Sequence, residues 1–172
     1  MDRISDLPLE PFNGIVYRTT RTGLDPLAYS TRGGRWARPN GTAVLYTSLE
    51  RSGALAELSY HWGRLTPLPT KAMVLHRVQV SLRQVRRLPR DRLADFGLTP
   101  DIYRHTNVTA CQEIGEAAAF LGADALLAPS ARWACDNLVV FGDDARRTDV
   151  RLIDSEEVDW KPWAEEQGFL QH

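Results

Sequence analysis

Residues 43–62, AVLYTSLERSGALAELSYHW, contain the change from strand to helix that decides the fold class of this chain. The first part, residues 43–48, has the β-branched and aromatic character of a strand. Ser48 is a suitable N-cap, so we predict that a helix begins near Glu50. A strand followed at once by a helix indicates a protein that mixes both element types.

The predicted helix has one apolar stripe, formed by three residues at helical spacing: Leu55, Leu58 and Trp62. This stripe is expected to face the core. Glu57 lies at the edge of the stripe, one helical turn from Gly53 and from His61. We therefore expect the carboxylate of Glu57 to point along the boundary of the core, toward a cleft.

The rest of the chain predicts further strands, a second helix and two long connections. The second helix is expected over Thr109–Leu121, where apolar residues repeat at helical spacing and Gly122 offers a stop. The connections, residues 22–41 and 128–137, are rich in residues that favour turns. The other predicted strands are residues 14–19, 73–80, a short one near Val85, 125–128, 138–141 and 150–153.

Length and composition favour one globular unit. The 172 residues suit a single domain, and 43% hydrophobic with 25% charged residues is typical of a globular protein. We predict one mixed α/β (α+β) domain over residues 1–172, with its core at about residues 14–155. No apolar run approaches the roughly 20 residues that span a bilayer, and the start, MDRISDLPLEPF, lacks the pattern of a secretory signal. We expect a cytoplasmic protein without a membrane span.

Neither a metal site nor a disulfide framework is expected. The two cysteines, Cys111 and Cys135, are too few for such a framework, and we predict that they are packing residues. The four histidines are far apart in the sequence, and no pair of Cys or His shows the spacing of a zinc site. We therefore predict no metal.

The charge balance argues against nucleic acid as a partner. The formal net charge is -1, which gives no basic field for binding a phosphate backbone. The one strongly basic stretch, RQVRRLPRDR at residues 83–92, is either a local phosphate-binding patch or a solvated strand and turn, and the second interpretation is favoured.

Three common catalytic and nucleotide-binding motifs are missing from the sequence. Neither GxGxxG nor GxxxxGK[ST] occurs, so the usual glycine-rich phosphate loops are excluded. No GxSxG elbow is present to expose a nucleophilic serine. What remains is a set of polar residues that stand beside glycines and aromatic residues in the first strand, the first loop and the helix after residue 48.

Five short motifs follow one another in an order that resembles the RES domain family. The motifs are YR at 17–18, GGRW at 33–36, LYTS at 45–48, SGALAE at 52–57, and PSA at 129–131 with Asn137. The resemblance covers nearly the whole chain. One departure lies in the loop, where Ala37 follows GGRW although many family members have Asn there; in this chain Asn40 comes later.

The resemblance implies a fold and an activity. RES domains are similar in fold to ADP-ribosyltransferases, with central curved β-sheets flanked by helices. Bacterial members are toxins that deplete NAD by phosphorolysis or hydrolysis, each restrained by a helix-turn-helix antitoxin of the Xre type that covers the active site. The resemblance therefore implies NAD as a substrate and not as a resident cofactor, with inorganic phosphate as co-substrate.

The arginine, glutamate and serine that name the family correspond here to Arg18 or Arg35, Glu57 and Ser130. A carboxylate such as Glu57 can stabilise the oxocarbenium-like ribose that forms when nicotinamide leaves. Arg18 and Arg35 can bind phosphate groups with planar forks. Tyr46 can stack on nicotinamide or bond to ribose.

The resemblance implies that Arg18, Glu57 and Tyr46 are catalytic and that Arg35, Ser130 and Asn137 bind substrate. Ser130 would contact a phosphate or ribose, and Asn137 would orient its loop. A structural explanation stays open for each residue. Glu57 can be a surface glutamate on a helix, Arg18 can form a salt bridge at a strand edge, and Arg35 can stack on Trp36. Tyr46 can be a core tyrosine, and Ser130 and Asn137 can cap turns.

Alternatives also remain open for the whole protein. It can be an enzyme that transfers ADP-ribose to a protein, or a catalytically silent module that binds NAD or a partner. Three aromatic residues near the end of the chain serve either an interface or the core: Trp160, Trp163 and Phe169. The sequence does not decide whether the protein forms a homo-oligomer.

Overall fold

The computed structural model describes residues 2–105, 108–142 and 149–170. Six strands are described: β1 (Leu9–Arg21), β2 (Ala43–Ser48), β3 (Met73–Arg87), β4 (Ala125–Pro129), β5 (Asp136–Gly142) and β6 (Asp149–Val158). They are accompanied by α1 (Asp2–Ser5), α2 (Arg51–Trp62), α3 (Pro100–Arg104), α4 (Thr109–Phe120), α5 (Trp160–Glu166) and a 3₁₀ helix (Arg90–Phe96). The fold is mixed α/β, as the sequence predicted.

Five of the strands close into a ring in the order β1-β2-β5-β4-β3, because β3 also pairs with β1. The β1–β3 ladder is antiparallel and extends from Leu9 opposite Arg86 to Arg21 opposite Met73. The junction between β1 and β2 is much shorter, and in it Tyr17 pairs with Ser48. The two strands therefore diverge on either side of this pair, and they leave room for a cavity.

Apolar side chains fill the ring and cover its outside. Val16, Leu45, Val78 and Leu138 belong to a buried cluster that brings strands from opposite sides of the ring together. A second cluster packs α4, the 3₁₀ helix and α3 against β4 and β5. A third joins the end of α2 to α5, where the ring of Trp62 meets that of Trp160 edge to face, 5.6 Å between centres.

The boundaries of several elements differ from the sequence prediction; β6, for example, ends at Val158 and not at residue 153. β1 begins at Leu9, not at residue 14, and β3 is one strand over 73–87, not two. The N-cap of α2 is Glu50, whose side chain makes no capping bond; Ser48 ends β2, and its Oγ accepts the N–H of Glu50 at 3.4 Å. Our assignment of Ser48 as N-cap was wrong because β2 continues through this residue to pair with β5.

The basic stretch at 83–92 forms the end of β3 and the beginning of the 3₁₀ helix. Arg86 is buried, and its guanidinium donates to the carbonyls of Ser5 (2.8 Å) and Leu7 (2.7 Å). Arg92 forms an ion pair with Asp95. The predicted strand is confirmed, but the stretch is not simply solvated, because Arg86 is buried and anchors the N-terminal segment.

Buried residues occur on both sides of the predicted core limits at 14 and 155, since Ile4, Leu7, Trp160 and Ala164 are also buried. The predicted ends of the domain, Met1 and residues 171–172, lie outside the described residues. Both cysteines are buried and unpaired by disulfide. In the part of the chain that the structure describes, no helix has the length and apolar character needed to cross a membrane.

Candidate functional site

A cavity of about 560 Å³ opens where β1 and β2 diverge. Its volume is in the range of sites for small molecules. Its walls come from β1, the loop before β2, β2 itself, α2, the start of α4, the segment that joins β4 to β5, and the start of β5. The charged residues that line it are Arg18, Arg35, Glu57 and Arg132, with His61 at the rim.

The carboxylate of Glu57 is held by two hydrogen bonds from residues at the end of β4 and the start of β5. Oε1 accepts the hydroxyl proton of Ser130 at 2.9 Å and the amide N–H of Asn137, also at 2.9 Å. Glu57 lies on α2 among buried neighbours, with its own side chain half-buried. In the part of the chain that the structure describes, Oε2 accepts no hydrogen bond, so this oxygen remains for a ligand.

Ser130 lies beneath Glu57 and is only 1% exposed. Its Oγ accepts hydrogen bonds from the N–H groups of Arg132 (3.1 Å) and Trp133 (3.2 Å), and its hydroxyl donates a hydrogen bond to Glu57. The hydroxyl is thus fully engaged in placing the carboxylate. Its predicted contact with substrate stays a prediction, and the geometry favours a positioning role instead.

Asn137 stands at the start of β5, opposite Ser48 on β2 and Ala128 on β4. Because a carboxylate only accepts, the amide nitrogen must face Glu57, and the amide oxygen then points away. That oxygen, Oδ1, is buried without a partner among the described residues. Asn137 therefore orients Glu57 from the strand, as Ser130 does from the turn.

Arg18 extends from β1 across the junction with β2. Its guanidinium donates to the carbonyl of Tyr46 at 3.3 Å and to that of Ala28 at 3.4 Å. Burial lowers the pKa of Arg18, and the nearby charge of Asp25 partly opposes this shift. An arginine stays protonated even so, and the half-buried cation faces the cavity.

Tyr46 fixes the loop that carries Arg35. Its hydroxyl accepts the N–H of Trp36 at 3.0 Å, and burial raises the pKa of Tyr46 to about 12, so the phenol stays protonated. A side chain at Gly34 would place its Cβ 2.6 Å from the Tyr46 hydroxyl oxygen, which only glycine avoids. From α4, Gln112 donates to the carbonyl of Gly34 at 3.0 Å.

Arg35 reaches from this loop to the end of α3. Its guanidinium donates to the carbonyls of Tyr103 (2.8 Å) and His105 (3.5 Å), and it lies 5.1 Å from the centre of the Tyr103 ring. The alternative in which Arg35 stacks on Trp36 was wrong. Trp36 is buried in the core, where its ring packs on the same tyrosine.

Among the cavity residues that the sequence analysis did not identify as part of a site are Tyr60, His61, Gln112 and Arg132. The guanidinium carbon of Arg132 lies 3.3 Å from the centre of the Tyr60 ring, and its NH1 donates to the carbonyl of Arg104 at 2.8 Å. One signal was available, because Arg132 directly follows the PSA motif. Burial lowers the pKa of His61 even though Glu57 acts in the opposite direction.

The charges around the cavity favour an anionic ligand. Three guanidinium groups, those of Arg18, Arg35 and Arg132, face one carboxylate, that of Glu57. Planar guanidinium forks bind phosphate groups in two-point contacts. Among the described residues, no group of three His, Cys, Asp or Glu side chains is placed to hold a metal ion.

Comparisons with known proteins identify the family and the fold of the chain. The sequence model of the RES domain matches residues 15–161. No curated protein sequence matches the chain. Among solved structures, a chain in the crystal structure of the M. tuberculosis MbcT–MbcA toxin–antitoxin complex is similar to this one, with a TM-score of 0.82 and 23% sequence identity over 97% of this chain and 96% of that chain. This likeness shows a shared fold.

Proposed function

The chain belongs to the RES domain family, and from this premise we propose that it is a toxin that cleaves the nicotinamide–ribose bond of NAD. One observation carries the proposal: Glu57 is held by two hydrogen bonds at a cavity whose other charged walls are guanidinium groups. A fixed carboxylate suits a ribose that becomes positive, and guanidinium groups suit the diphosphate of a dinucleotide.

The bond that breaks joins the nicotinamide nitrogen to the anomeric carbon of ribose. Its electron pair leaves with the nicotinamide, which becomes neutral, and positive charge develops on the ribose. The Oε2 oxygen of Glu57 would stabilise that charge. Because Ser130 and Asn137 hold Oε1, the carboxylate needs little reorientation as the charge develops.

The acceptor that we propose is inorganic phosphate. One of its oxygens forms a bond to the anomeric carbon as nicotinamide leaves, and the products are ADP-ribose phosphate and nicotinamide. The excess of guanidinium over carboxylate around the cavity supports a second anion in addition to NAD. With water as acceptor the same site would give ADP-ribose, and this is the competing outcome of the test below.

Arg18 and Tyr46 would serve the same step from the junction of β1 and β2. The half-buried cation of Arg18, which lines the cavity, would bind a phosphate group. The phenol of Tyr46 stays protonated, and its ring would stack on nicotinamide or its hydroxyl would bond to ribose. No cofactor is needed for this bond cleavage, since NAD itself is the substrate.

A toxin that destroys NAD needs restraint, and we propose an antitoxin partner with a helix-turn-helix domain of the Xre type. The structural neighbour belongs to a toxin–antitoxin complex, which supports a partner of this class. The partner would cover the cavity and exclude NAD. Both proteins would act in the cytoplasm, where NAD is available.

The test is incubation of purified, antitoxin-free protein with NAD, with and without inorganic phosphate, followed by mass spectrometry of the products. ADP-ribose phosphate and nicotinamide that form only with phosphate would support phosphorolysis. ADP-ribose under both conditions would identify water as the acceptor. Survival of NAD in folded protein would contradict cleavage, and labelling of a protein by ADP-ribose would then be measured.

The matching variant is Glu57→Gln, because the carbonyl oxygen of glutamine can still accept both hydrogen bonds while the negative charge is lost. We expect NAD consumption to fall by about a hundredfold or more with an unchanged melting temperature. Glu165→Gln removes an exposed carboxylate on α5 that does not line the cavity, and it is the control. Equal activity of the two variants would remove the role of Glu57.

A further inference from the structure

Two guanidinium groups are held side by side at the C-terminal end of α3. Arg35 donates to the carbonyls of Tyr103 (2.8 Å) and His105 (3.5 Å), and Arg132 donates to the carbonyl of Arg104 between them (2.8 Å). These carbonyls are consecutive in the chain and belong to the negative end of a helix. Both arginines line the same cavity, and because they donate to consecutive carbonyls the two cations are neighbours in its wall.

Aromatic rings hold each guanidinium from a second side. Arg35 lies 5.1 Å from the centre of the Tyr103 ring, and Arg132 lies 3.3 Å from that of Tyr60. Contact with an aromatic face together with hydrogen bonds to carbonyls fixes the plane of a guanidinium. Both forks are therefore oriented before any ligand arrives, which reduces the entropic cost of binding.

The two positive charges repel each other. Burial lowers the pKa of Arg132, and the charge of Arg35 lowers it further, although Tyr60 and Glu57 act in the opposite direction. Neither arginine forms an ion pair with a carboxylate in the part of the chain that the structure describes. An anion between the two guanidinium groups would remove the repulsion and use their remaining donors.

We propose that Arg35 and Arg132 together form one subsite for a phosphate-type oxyanion. The proposal rests on the proposed function for the identity of the oxyanion, which is either inorganic phosphate as co-substrate or the diphosphate of NAD. In both cases the bond to the protein is the same: paired N–H donors of a guanidinium fork to phosphate oxygens.

The subsite is joined to the carboxylate by a short path. The backbone N–H of Arg132 donates to Ser130 Oγ, and the same hydroxyl donates to Glu57. The turn that places Arg132 therefore also places Ser130. An oxyanion bound at Arg132 would lie in the same cavity as the free oxygen of Glu57, as a reaction between phosphate and ribose requires.

The experiment compares Arg132→Ala and Arg132→Lys with Arg64→Ala. Arg64 also lies over the ring of Tyr60, at 5.0 Å, and donates to its hydroxyl at 2.7 Å, but it does not line the cavity. Loss of Arg64 therefore reports what loss of contact with Tyr60 does by itself. Melting temperatures of the three variants identify any loss of folding.

The first readout is equilibrium binding of inorganic phosphate and of ADP-ribose, measured by calorimetry without turnover. We expect Arg132→Ala to lower the binding affinity for one of these two probes by about tenfold to a hundredfold. Arg132→Lys keeps the positive charge but lacks the guanidinium fork, so its affinity for the probe should lie between those of Arg132→Ala and the parent protein. A subsite would thus be detected even if the parent protein failed to consume NAD, which would contradict the proposed function alone.

The second readout is the KM for each substrate. A raised KM for phosphate with an unchanged KM for NAD would identify the co-substrate as the occupant, and the reverse would identify the diphosphate of NAD. If Arg132→Ala binds both probes and both substrates as Arg64→Ala does, the subsite is contradicted. A folded Arg132→Lys that also binds both probes as Arg64→Ala does would contradict the subsite in the same way.

Discussion

The position of Glu57 depends on two side chains that lie 73 and 80 residues further along the chain. Ser130→Ala would remove one bond to the carboxylate and the acceptor of two backbone N–H groups. We expect kcat for NAD cleavage to fall while KM changes little, because the carboxylate acts mainly on the developing charge. The free energy of unfolding should fall by about 1–3 kcal/mol. Steady-state kinetics and urea unfolding measure the two effects.

Ser59→Ala is the matched control for this prediction. Ser59 is also a fully buried serine, but its hydroxyl has no hydrogen-bond partner among the described residues. Its removal should leave kcat unchanged and should not lower stability. A loss of kcat in Ser59→Ala as large as that in Ser130→Ala would mean that Ser130 has no specific effect on Glu57.

The sequence predicts some residues of the site and not others, for a physical reason. Glu57 and Arg18 lie within motifs whose order resembles a known family, and Glu57 also stands at the edge of an apolar stripe. Arg132 is one of 19 arginines, and what distinguishes it is contact with a ring and with a carbonyl from other elements. Such contacts exist only after the chain has folded.

At the scale of elements, α4 supports the loop that carries Arg35. A Cβ atom at Gly115 would lie 1.9 Å from the carbonyl oxygen of Trp36, so helix and loop touch through their backbones. Alanine in a helix is favoured over glycine by about 1 kcal/mol. The overlap with backbone outweighs this gain, and we expect Gly115→Ala to destabilise the protein by about 1–3 kcal/mol.

The same substitution should affect binding, because a displaced loop moves Arg35 away from the cavity. We expect a raised KM for NAD in Gly115→Ala. Glu113→Ala, on the exposed side of the same helix, removes only a solvent-exposed ion pair with Arg38 and should change the stability by no more than about 0.5 kcal/mol. Thermal unfolding and steady-state kinetics test both variants, and a more stable Gly115→Ala would contradict direct contact between α4 and the loop.

Short elements were harder to predict than long periodic ones. The helix predicted over Thr109–Leu121 corresponds to α4, since its apolar spacing is sustained over three turns. The sequence analysis did not identify α3, which has only five residues. Its signal is local: Thr99 caps the helix and Pro100 occupies the first turn, a combination typical of helix starts.

At the scale of the whole molecule, the closure of the ring creates the site. Each strand can be recognised from its own residues, but the pairing of β1 with β3 joins segments that are far apart in the sequence. Local patterns do not specify such partners. The cavity exists because this ladder is long while the β1–β2 junction is short, a difference that no single stretch of sequence displays.

A buried histidine connects three strands of the sheet and should make stability depend on pH. His76 on β3 is 4% exposed, and its ring lies 2.7 Å from the hydroxyl of Thr20 on β1 and 2.7 Å from that of Ser155 on β6. Burial lowers the pKa of His76, and the charge of Arg18 lowers it further. The folded protein therefore keeps this ring neutral at a pH where the unfolded chain protonates it.

The sign follows from linkage between protonation and folding. Above the pKa of about 6.5 in the unfolded chain, both states are neutral and the stabilisation is fully present. As the pH falls below this value, the unfolded state binds the proton more readily and stability decreases. The decrease ends once the pH is below the lowered pKa of the folded state. We expect His76→Gln, which keeps a neutral polar side chain, to lose less stability between pH 7.5 and 5.5 than the parent protein.

Urea unfolding at the two pH values measures this difference, and carboxylates contribute equally to both proteins and cancel. His61→Gln is the control, because the pKa of His61 is lowered in the same direction but its side chain, unlike that of His76, is partly open to solvent at the cavity. A smaller change is expected there, since solvent screens an exposed charge. If the parent and His76→Gln lose stability in parallel, the hydroxyls of Thr20 and Ser155 accommodate the protonated ring, and the contacts among the three strands do not respond to pH through His76.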